Sequence, residues 1–502
     1  MIFLVFLLAL SVIGWLWCKR DRYPLPPVYP GALPLIGHGH HFIGDTTDLW
    51  KTLRKMCDYS LEKGGVTVVH GGLYNFYFVT DPDDCATIAA TCFNKPFFYN
   101  FANSLFGNSL FILKENDWKH HRKIMNPAFK QQQVNGFNDI INSNAKLLVE
   151  HLEANIAIVP STSKYSESIH VYKLLPLLLS LNPKINLEFI ILDKINVLTD
   201  TTFGVNPEND NGRIRKYAKA MNNIINLFIN QFQYLMLVVP FVYKWRKHVQ
   251  EKNSLVKEIK NISHEFINKR KSYLNEAGPD ESFEGKAVID TLIHQGLYTV
   301  SQISNDSDFI VDASYETINQ TLLFALKLIG SHPDVQDRIY KELQDVLGSS
   351  DTDIGQNDVH KLLYLDAVIK EVIRIYPSIP LVARDIENDI KLKNYTMMKN
   401  SICIMSFYGM LRHPVWGEDA EHFKPERWLK TNGVPCNVND FAAFGLGKRN
   451  CIGKLYAMRV LKVFLGHILR KYCVTANSNE MAIKFEIILK PKADHEISFE
   501  LR

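Results

Sequence analysis

One cysteine in this chain stands where chemistry could use it. Phe444 to Gly453 reads Phe-Gly-Leu-Gly-Lys-Arg-Asn-Cys-Ile-Gly, with Cys451 near its end. Gly445 and Gly447 permit a tight loop with close backbone approach. The amphipathic run from Leu455 to Leu469 predicts a helix, which puts Cys451 near a helix N-terminus. Backbone amides and the helix dipole stabilise an anion there, and Lys448 and Arg449 add positive charge. A thiolate in that setting is a credible metal ligand. An isolated cysteine is more often an inert buried residue beside a turn.

Three other groupings could do work. Glu316 and Thr317 set an acid beside an alcohol, although helix propensity alone makes Glu316 an ordinary solvent-facing acid. Glu371 and Arg374 are three apart and can pair on one helix face. On a surface such a pair contributes only about 0 to 1 kcal/mol. Trp118 and Arg122 are four apart and share a face, as an interfacial aromatic and an exposed cation would.

These residues need elements to hold them. Val66–Val69 and Leu73–Thr80 are β-branched and aromatic, with Gly71-Gly72 between them, and predict a hairpin. Most later segments predict helices: Asp117–Asn126, Asn261–Leu274, a start at Ser331-His332-Pro333-Asp334, and Leu362–Tyr376 stopping at Pro377. Short strands are expected between Val382 and Met405. The reading is a mainly α fold with a smaller β portion, as a single large body over residues 38–502.

The bulk numbers fit a folded protein. The chain has 502 residues, 46% hydrophobic and 22% charged, with a formal net charge of +4. That surplus gives no case for nucleic acid binding. Of its eight cysteines none forms a CxxC pair, which argues against a zinc ribbon or a disulfide scaffold. Residues 1–18 are almost wholly apolar and carry Trp15 and Trp17; Lys19, Arg20 and Arg22 follow. Cations after the apolar run predict a transmembrane anchor with a cytoplasmic body, against a cleaved signal peptide. Residues 19–37 hold the basic cluster and then Pro24, Pro26, Pro27, Pro30 and Pro34, and predict a stiff hinge.

The stretch ending at Gly453 resembles the haem-binding loop of the cytochrome P450 family, Phe-x-x-Gly-x-Arg-x-Cys-x-Gly, at every fixed position. The resemblance implies that Cys451 is the axial thiolate on the iron of a haem b, whose electron donation favours O–O cleavage. It implies that Arg449 contacts a haem propionate and that Phe444 packs near the thiolate. Trp118, Arg122 and Arg384 match further propionate contacts. Glu371, Arg374 and Arg427, the last within Phe423-Lys424-Pro425-Glu426-Arg427-Trp428, match a buried structural network. Trp428 stands where Phe is usual. His413-Pro414 with Trp416 adds support without a chemical role.

Ala313-Ser314-Tyr315-Glu316-Thr317-Ile318 resembles the oxygen-activation segment of the family's long central helix. Glu316 and Thr317 fill its proton-relaying acid–alcohol pair. Ser314 replaces the common Gly, and Ile318 replaces a hydroxyl residue. The chain looks closest to insect members of the clan containing fatty-acid ω-hydroxylases. Several of these esterify haem through a Glu at the position of Ala313, so a non-covalent haem is expected here.

The resemblance implies a microsomal monooxygenase of the endoplasmic reticulum membrane, acting on a lipophilic substrate. Fatty acid, hormone, odorant and xenobiotic all fit. Electrons from NADPH would come through NADPH–cytochrome P450 reductase, with cytochrome b5 as a further donor. Lys119, His120, Arg122, Lys123, Lys448 and Lys454 are candidates for a basic docking face. Two alternatives are a reductase-independent haem-thiolate isomerase or dehydratase, and a non-enzymatic membrane-tethered haem or lipid binder. Glu316–Thr317 favours the monooxygenase; Ser314 and Ile318 leave the isomerase open.

Overall fold

The computed structural model describes residues 25–71, 74–157, 196–205, 207–236, 245–277, 286–348, 352–429, 441–478, 481–492 and 497–502. The anchor expected over residues 1–18 lies outside them. Among the described residues no helix is long and apolar enough to cross a membrane. The described part of the expected hinge is laid on the sheet. The Tyr29 amide donates to Val68 O at 2.9 Å, and the Val68 amide donates to Pro27 O at 2.9 Å.

Helix α1 (Thr46–Glu62) opens on Asp45, whose carboxylate accepts from the amides of Thr47 and Asp48. The expected hairpin follows as β1 (Val66–Gly71) and β2 (Tyr74–Val79), paired antiparallel with Val66 opposite Val79. Helix α2 (Pro82–Thr91) starts with the Asp81 cap and Pro82 in its first turn. Helices α3 (Glu115–Met125) and α4 (Asn138–Ala157) come next. Two long helices, α5 (Pro207–Met236) and α6 (Trp245–Ala277), then pack on each other. The short helix α7 (Val288–Gln295) ends at Gly296 in the left-handed region.

The central helix α8 (Val300–Gly330) is nucleated by a capping box in which Thr299 and Gln302 exchange side-chain and backbone bonds. It runs unbroken for 31 residues, through Ser314 and past Thr317. Pro333 opens α9 (Pro333–Leu347). Helix α10 (Leu363–Ile375) stops two residues before Pro377, whose ring disfavours helix in the residue ahead of it. Strands β3 (Leu381–Ile386) and β4 (Ser401–Ser406) complete a sheet ordered β1-β2-β4-β3, in which β2 and β4 run parallel. Helix α11 (Lys454–Lys471) leads into β5 (Tyr472–Ala476). Strands β6 (Ile483–Glu486), β7 (Ile488–Pro491) and β8 (Ile497–Leu501) follow, with β6 paired to β7 and β8 paired to β5.

Buried Phe324, Ala325 and Ile329 of α8 join Val372 of α10 and Val463, Phe464 and Leu465 of α11 in one core cluster. The ring of Phe324 stacks on Tyr376 with centroids 4.5 Å apart. A rigid three-helix centre therefore carries the acid–alcohol pair and the helix that follows the cysteine loop.

Candidate functional site

The cysteine loop is held by its own backbone and by α3. The Cys451 amide donates to Phe444 O at 2.7 Å and closes the loop. Gly447 has φ +64, and a Cβ there would lie 2.7 Å from Ala89 O of α2, so only glycine fits. Arg122 reaches in from α3, donating to Asn450 O at 2.8 Å and to Asn450 Oδ1 at 3.1 Å, while its Nε donates to Asn126. The Phe444 ring lies 5.5 Å from Lys454 Nζ at the start of α11.

Among the described cysteines, Cys57, Cys85, Cys92 and Cys403 are buried and Cys473 is half-buried, whereas Cys451 is exposed. Its sulfur nonetheless sits deep enough for burial to push the bare thiol up. The Gly453 amide and the charges of Arg122 and Lys454 only partly offset this. The helix start and the cations act in the expected direction, but desolvation outweighs them.

Beside the loop lies a cluster of cations. Arg449 stacks on Trp118, its guanidinium carbon 4.6 Å from the ring centroid, and donates to Leu113 O at 2.6 Å. Burial and then the Arg384 charge pull Arg449 down to about 9, with Glu115 opposing. Arg384, opposite Cys403 in the β3–β4 register, is buried and donates to its own neighbour Ala383 O at 2.8 Å. Lys95 completes the group, with Nζ 3.3 Å from the Phe111 ring centroid and 4.8 Å from that of Tyr99. Burial, then Arg384 and Arg449, hold Lys95 well below the ordinary lysine value. The Nε atoms of Arg384 and Arg449 are buried without a hydrogen-bond partner. Arg384 is buried and Lys95 and Arg449 are half-buried, and guanidinium nitrogens buried in such company call for an anion.

Glu316 and Thr317 lie on α8. The Thr317 hydroxyl donates to Ala313 O at 2.7 Å, one turn back. Thr317 O accepts from Thr321 and, at 3.3 Å, from Ser378. Glu316 is half-buried and faces Lys490 of β7, Oε2 to Nζ 3.0 Å. Nearby, His121 of α3 bonds Asp306 of α8, and the other Asp306 oxygen accepts from the Leu110 amide at 2.8 Å. This ties the helix of Trp118 and Arg122 to the helix of the acid–alcohol pair.

The remaining trio forms a buried network. Glu371 accepts from Arg374 Nε and Nη2 and from Arg427 Nε, each at 2.9 Å. The Lys424 amide adds a bond at 3.0 Å and Trp428 Nε1 another at 2.9 Å. Arg374 also donates to the carbonyls of Leu411, Ala420 and His422. The network fastens α10 to the segment ahead of the cysteine loop.

The Cytochrome P450 family model matches residues 26–499. The chain belongs to the cytochrome P450 family. Probable cytochrome P450 313a4 of Drosophila melanogaster is 27% identical over 485 residues, covering 93% of this chain and 92% of that protein. Cytochrome P450 4V2 of Homo sapiens is 25% identical over 496 residues, covering 94% and 89%. Cytochrome P450 enzymes are monooxygenases, oxidoreductases that carry a haem held by a cysteine thiolate.

The residues of this P450 suit that group. Haem brings two carboxylates, and Lys95, Arg384 and Arg449 stand together with unpartnered guanidinium nitrogens. Haem also brings an iron, whose charge suffices to deprotonate a coordinating thiol that burial alone would leave protonated. Arg122, four residues from Trp118, donates to the carbonyl and the side-chain amide oxygen of Asn450. It braces the loop from below. Sequence reasoning missed Lys95, His121, Asp306, Asn450 and Lys490. Lys95, in Phe93-Asn94-Lys95-Pro96, lies in no periodic pattern that could have flagged it.

Proposed function

We propose that Cys451 ligates the iron of a non-covalently held haem b. The enzyme then inserts one oxygen atom of O2 into a lipophilic substrate, using electrons from NADPH. The observation that carries this reading is the complete cysteine loop presenting an exposed Cys451 beside arginines whose buried Nε atoms lack a hydrogen-bond partner. Lys95, Arg384 and Arg449 hold the haem carboxylates, and Trp118 supports Arg449 from below. The haem supplies the oxidising chemistry, tuned by its thiolate. Arg122 fixes the loop backbone, so the sulfur keeps its position. Glu316 moves protons toward the oxygen site, and the Thr317 hydroxyl, anchored on Ala313 O, offers its free lone pairs to a proton-carrying water.

Electrons arrive through NADPH–cytochrome P450 reductase, with cytochrome b5 as a further donor. Lys119, His120, Lys123, Lys448 and Lys454 are exposed, and Arg122 ties their two segments together at Asn450. A basic face of this kind steers an acidic protein partner. Residues 1–18 anchor the enzyme in the endoplasmic reticulum membrane with its body in the cytoplasm. The test is Cys451→Ser in the full-length chain. The wild type should give the ferrous carbonyl band of thiolate-ligated haem and the variant should not; an unchanged band in the variant overturns the assignment.

A further inference from the structure

Asp306 lies in the first half of α8 and is fully buried, and His121 of α3 is buried beside it. A buried carboxylate is costly unless its oxygens are paired. Both are. Oδ2 accepts from His121 Nε2, and Oδ1 accepts from the Leu110 amide at 2.8 Å. Leu110 is buried and belongs to the turn Ser109–Leu113, in which the amides of Ile112 and Leu113 donate to Ser109 O at 3.0 and 3.1 Å. Phe309 lies three residues beyond Asp306, on the same face of α8. Its ring stacks on Phe111 of the turn, with centroids 4.9 Å apart and planes 18° apart. One carboxylate and one ring therefore clamp the turn to the central helix.

The same turn meets the cation cluster. Leu113 O accepts from Arg449 at 2.6 Å, the one hydrogen bond that Arg449 makes among the described residues. The Phe111 ring centroid lies 3.3 Å from Lys95 Nζ. Asn94, next to Lys95, accepts from the Glu115 amide at 3.1 Å, two residues past the turn. Among the described residues the ion-pair partner of Asp306 is His121, so it reaches the cations through the turn alone.

We propose that Asp306, held by His121, is a positioning residue for the haem carboxylates. It fixes the Ser109–Leu113 turn, and the turn holds Arg449 and Lys95 where they receive those carboxylates. The inference rests on the reading that these two cations do so. Lysine and arginine lose much rotamer freedom when they are fixed. Cations already held by a carbonyl and a ring face have lost it before the anion arrives, so the anion binds more tightly. An apolar residue at 306 could pack against the turn but would leave the buried Leu110 amide without an acceptor.

The experiment uses the full-length haem-loaded protein and follows transfer of its haem to a globin apoprotein in excess. Asp306→Ala should speed transfer about tenfold, as loss of a residue that orients a cofactor's ligands does. Asp306→Asn keeps an acceptor for the Leu110 amide and should stay close to wild type. His121→Phe keeps the bulk of the ring but not its N–H, and should speed transfer by less than Asp306→Ala. A second comparison separates positioning from a general loosening of the fold. In an Arg449→Ala background the turn has no guanidinium to hold, so Asp306→Ala and His121→Phe should each speed transfer much less than they do in wild type. A residue that only stabilised the core would speed it by the same factor in both backgrounds. Equal factors overturn the proposal, as do transfer from Asp306→Ala at the wild-type rate and transfer from Asp306→Asn as fast as from Asp306→Ala. If Asp306→Ala yields no folded protein, the His121→Phe comparison decides. A wild type without the carbonyl band of thiolate-ligated haem sinks the functional reading and this role with it; a wild type that has the band, with equal factors, loses the Asp306 role alone.

Discussion

Trp428→Phe tests how the buried Glu371 carboxylate is held. Glu371 accepts five hydrogen bonds, of which Trp428 Nε1 supplies one at 2.9 Å. Phenylalanine keeps most of the ring packing against Phe441, 4.8 Å away between centroids, and Trp416, 5.6 Å away. What it removes is one donor. A hydrogen bond to a charged group contributes about 1.5–3 kcal/mol net. Oε2 keeps Arg374 Nε, and Oε1 keeps its three donors, so no oxygen is stranded. The loss should sit at the low end, about 1.5 kcal/mol, or roughly a tenfold fall in the folded-to-unfolded ratio. Arg374→Met makes the contrast. It strips two bonds from Glu371, leaves the carbonyls of Leu411 and Ala420 without their donor, and leaves His422 O only Arg427 Nη2 at 3.5 Å. Removing one member of a buried pair costs about 3–5 kcal/mol. Pulse proteolysis in urea on the full-length haem-loaded protein reads the folded fraction without requiring reversible refolding over hours. If Trp428→Phe falls within about 0.5 kcal/mol of wild type, as a surface change would, the indole N–H is not part of the network. If it costs as much as Arg374→Met, the ring's packing and not its donor is what matters.

Acid should expose the same network. Burial would raise Glu371, but the bonds and charge of Arg374, the Arg427 charge and the Lys424 amide hold it below its ordinary 4.5. Its stabilisation is present above that value and is lost as pH falls through the lower folded value; Glu371→Gln should flatten this acid limb in unfolding curves taken at stepped pH. Thr317→Ala should keep the carbonyl spectrum and substrate binding while product per NADPH falls and peroxide rises; unchanged yields would remove the hydroxyl from the proton path. Ile318→Thr should improve coupling or leave it unaltered in the same assay. Because residue 313 is Ala, acidified organic solvent should extract essentially all haem, and haem esterified to the polypeptide in mass spectra would refute that.

The sequence by itself determined what local chemistry can encode. The Cys451 loop is contiguous, its glycines answer to backbone geometry, and a ten-residue motif needs no distant partner to be read. Helix stops such as Tyr376-Pro377 were equally legible, being local events, whereas α5, the Thr299–Gln302 cap of α8 and the first half of α6 were not read from the sequence. So was the Glu371–Arg374 pair, three residues apart on α10. What only the tertiary structure decided are contacts between segments far apart in the chain. Arg122 meets Asn450 across 328 residues, and His121 meets Asp306 across 185. Arg384 and Arg449 were matched to one site by resemblance, but Lys95, from the loop after α2, joins them only in the fold. Trp428 reads as a mild aromatic exchange until Glu371 is seen to take its N–H. Asp306 reads as one more helical acid until α3 and the turn at Leu110 close over it. Burial is a property of the packed whole, and burial is what turns these ordinary charged side chains into groups with altered protonation and an unmet demand for partners.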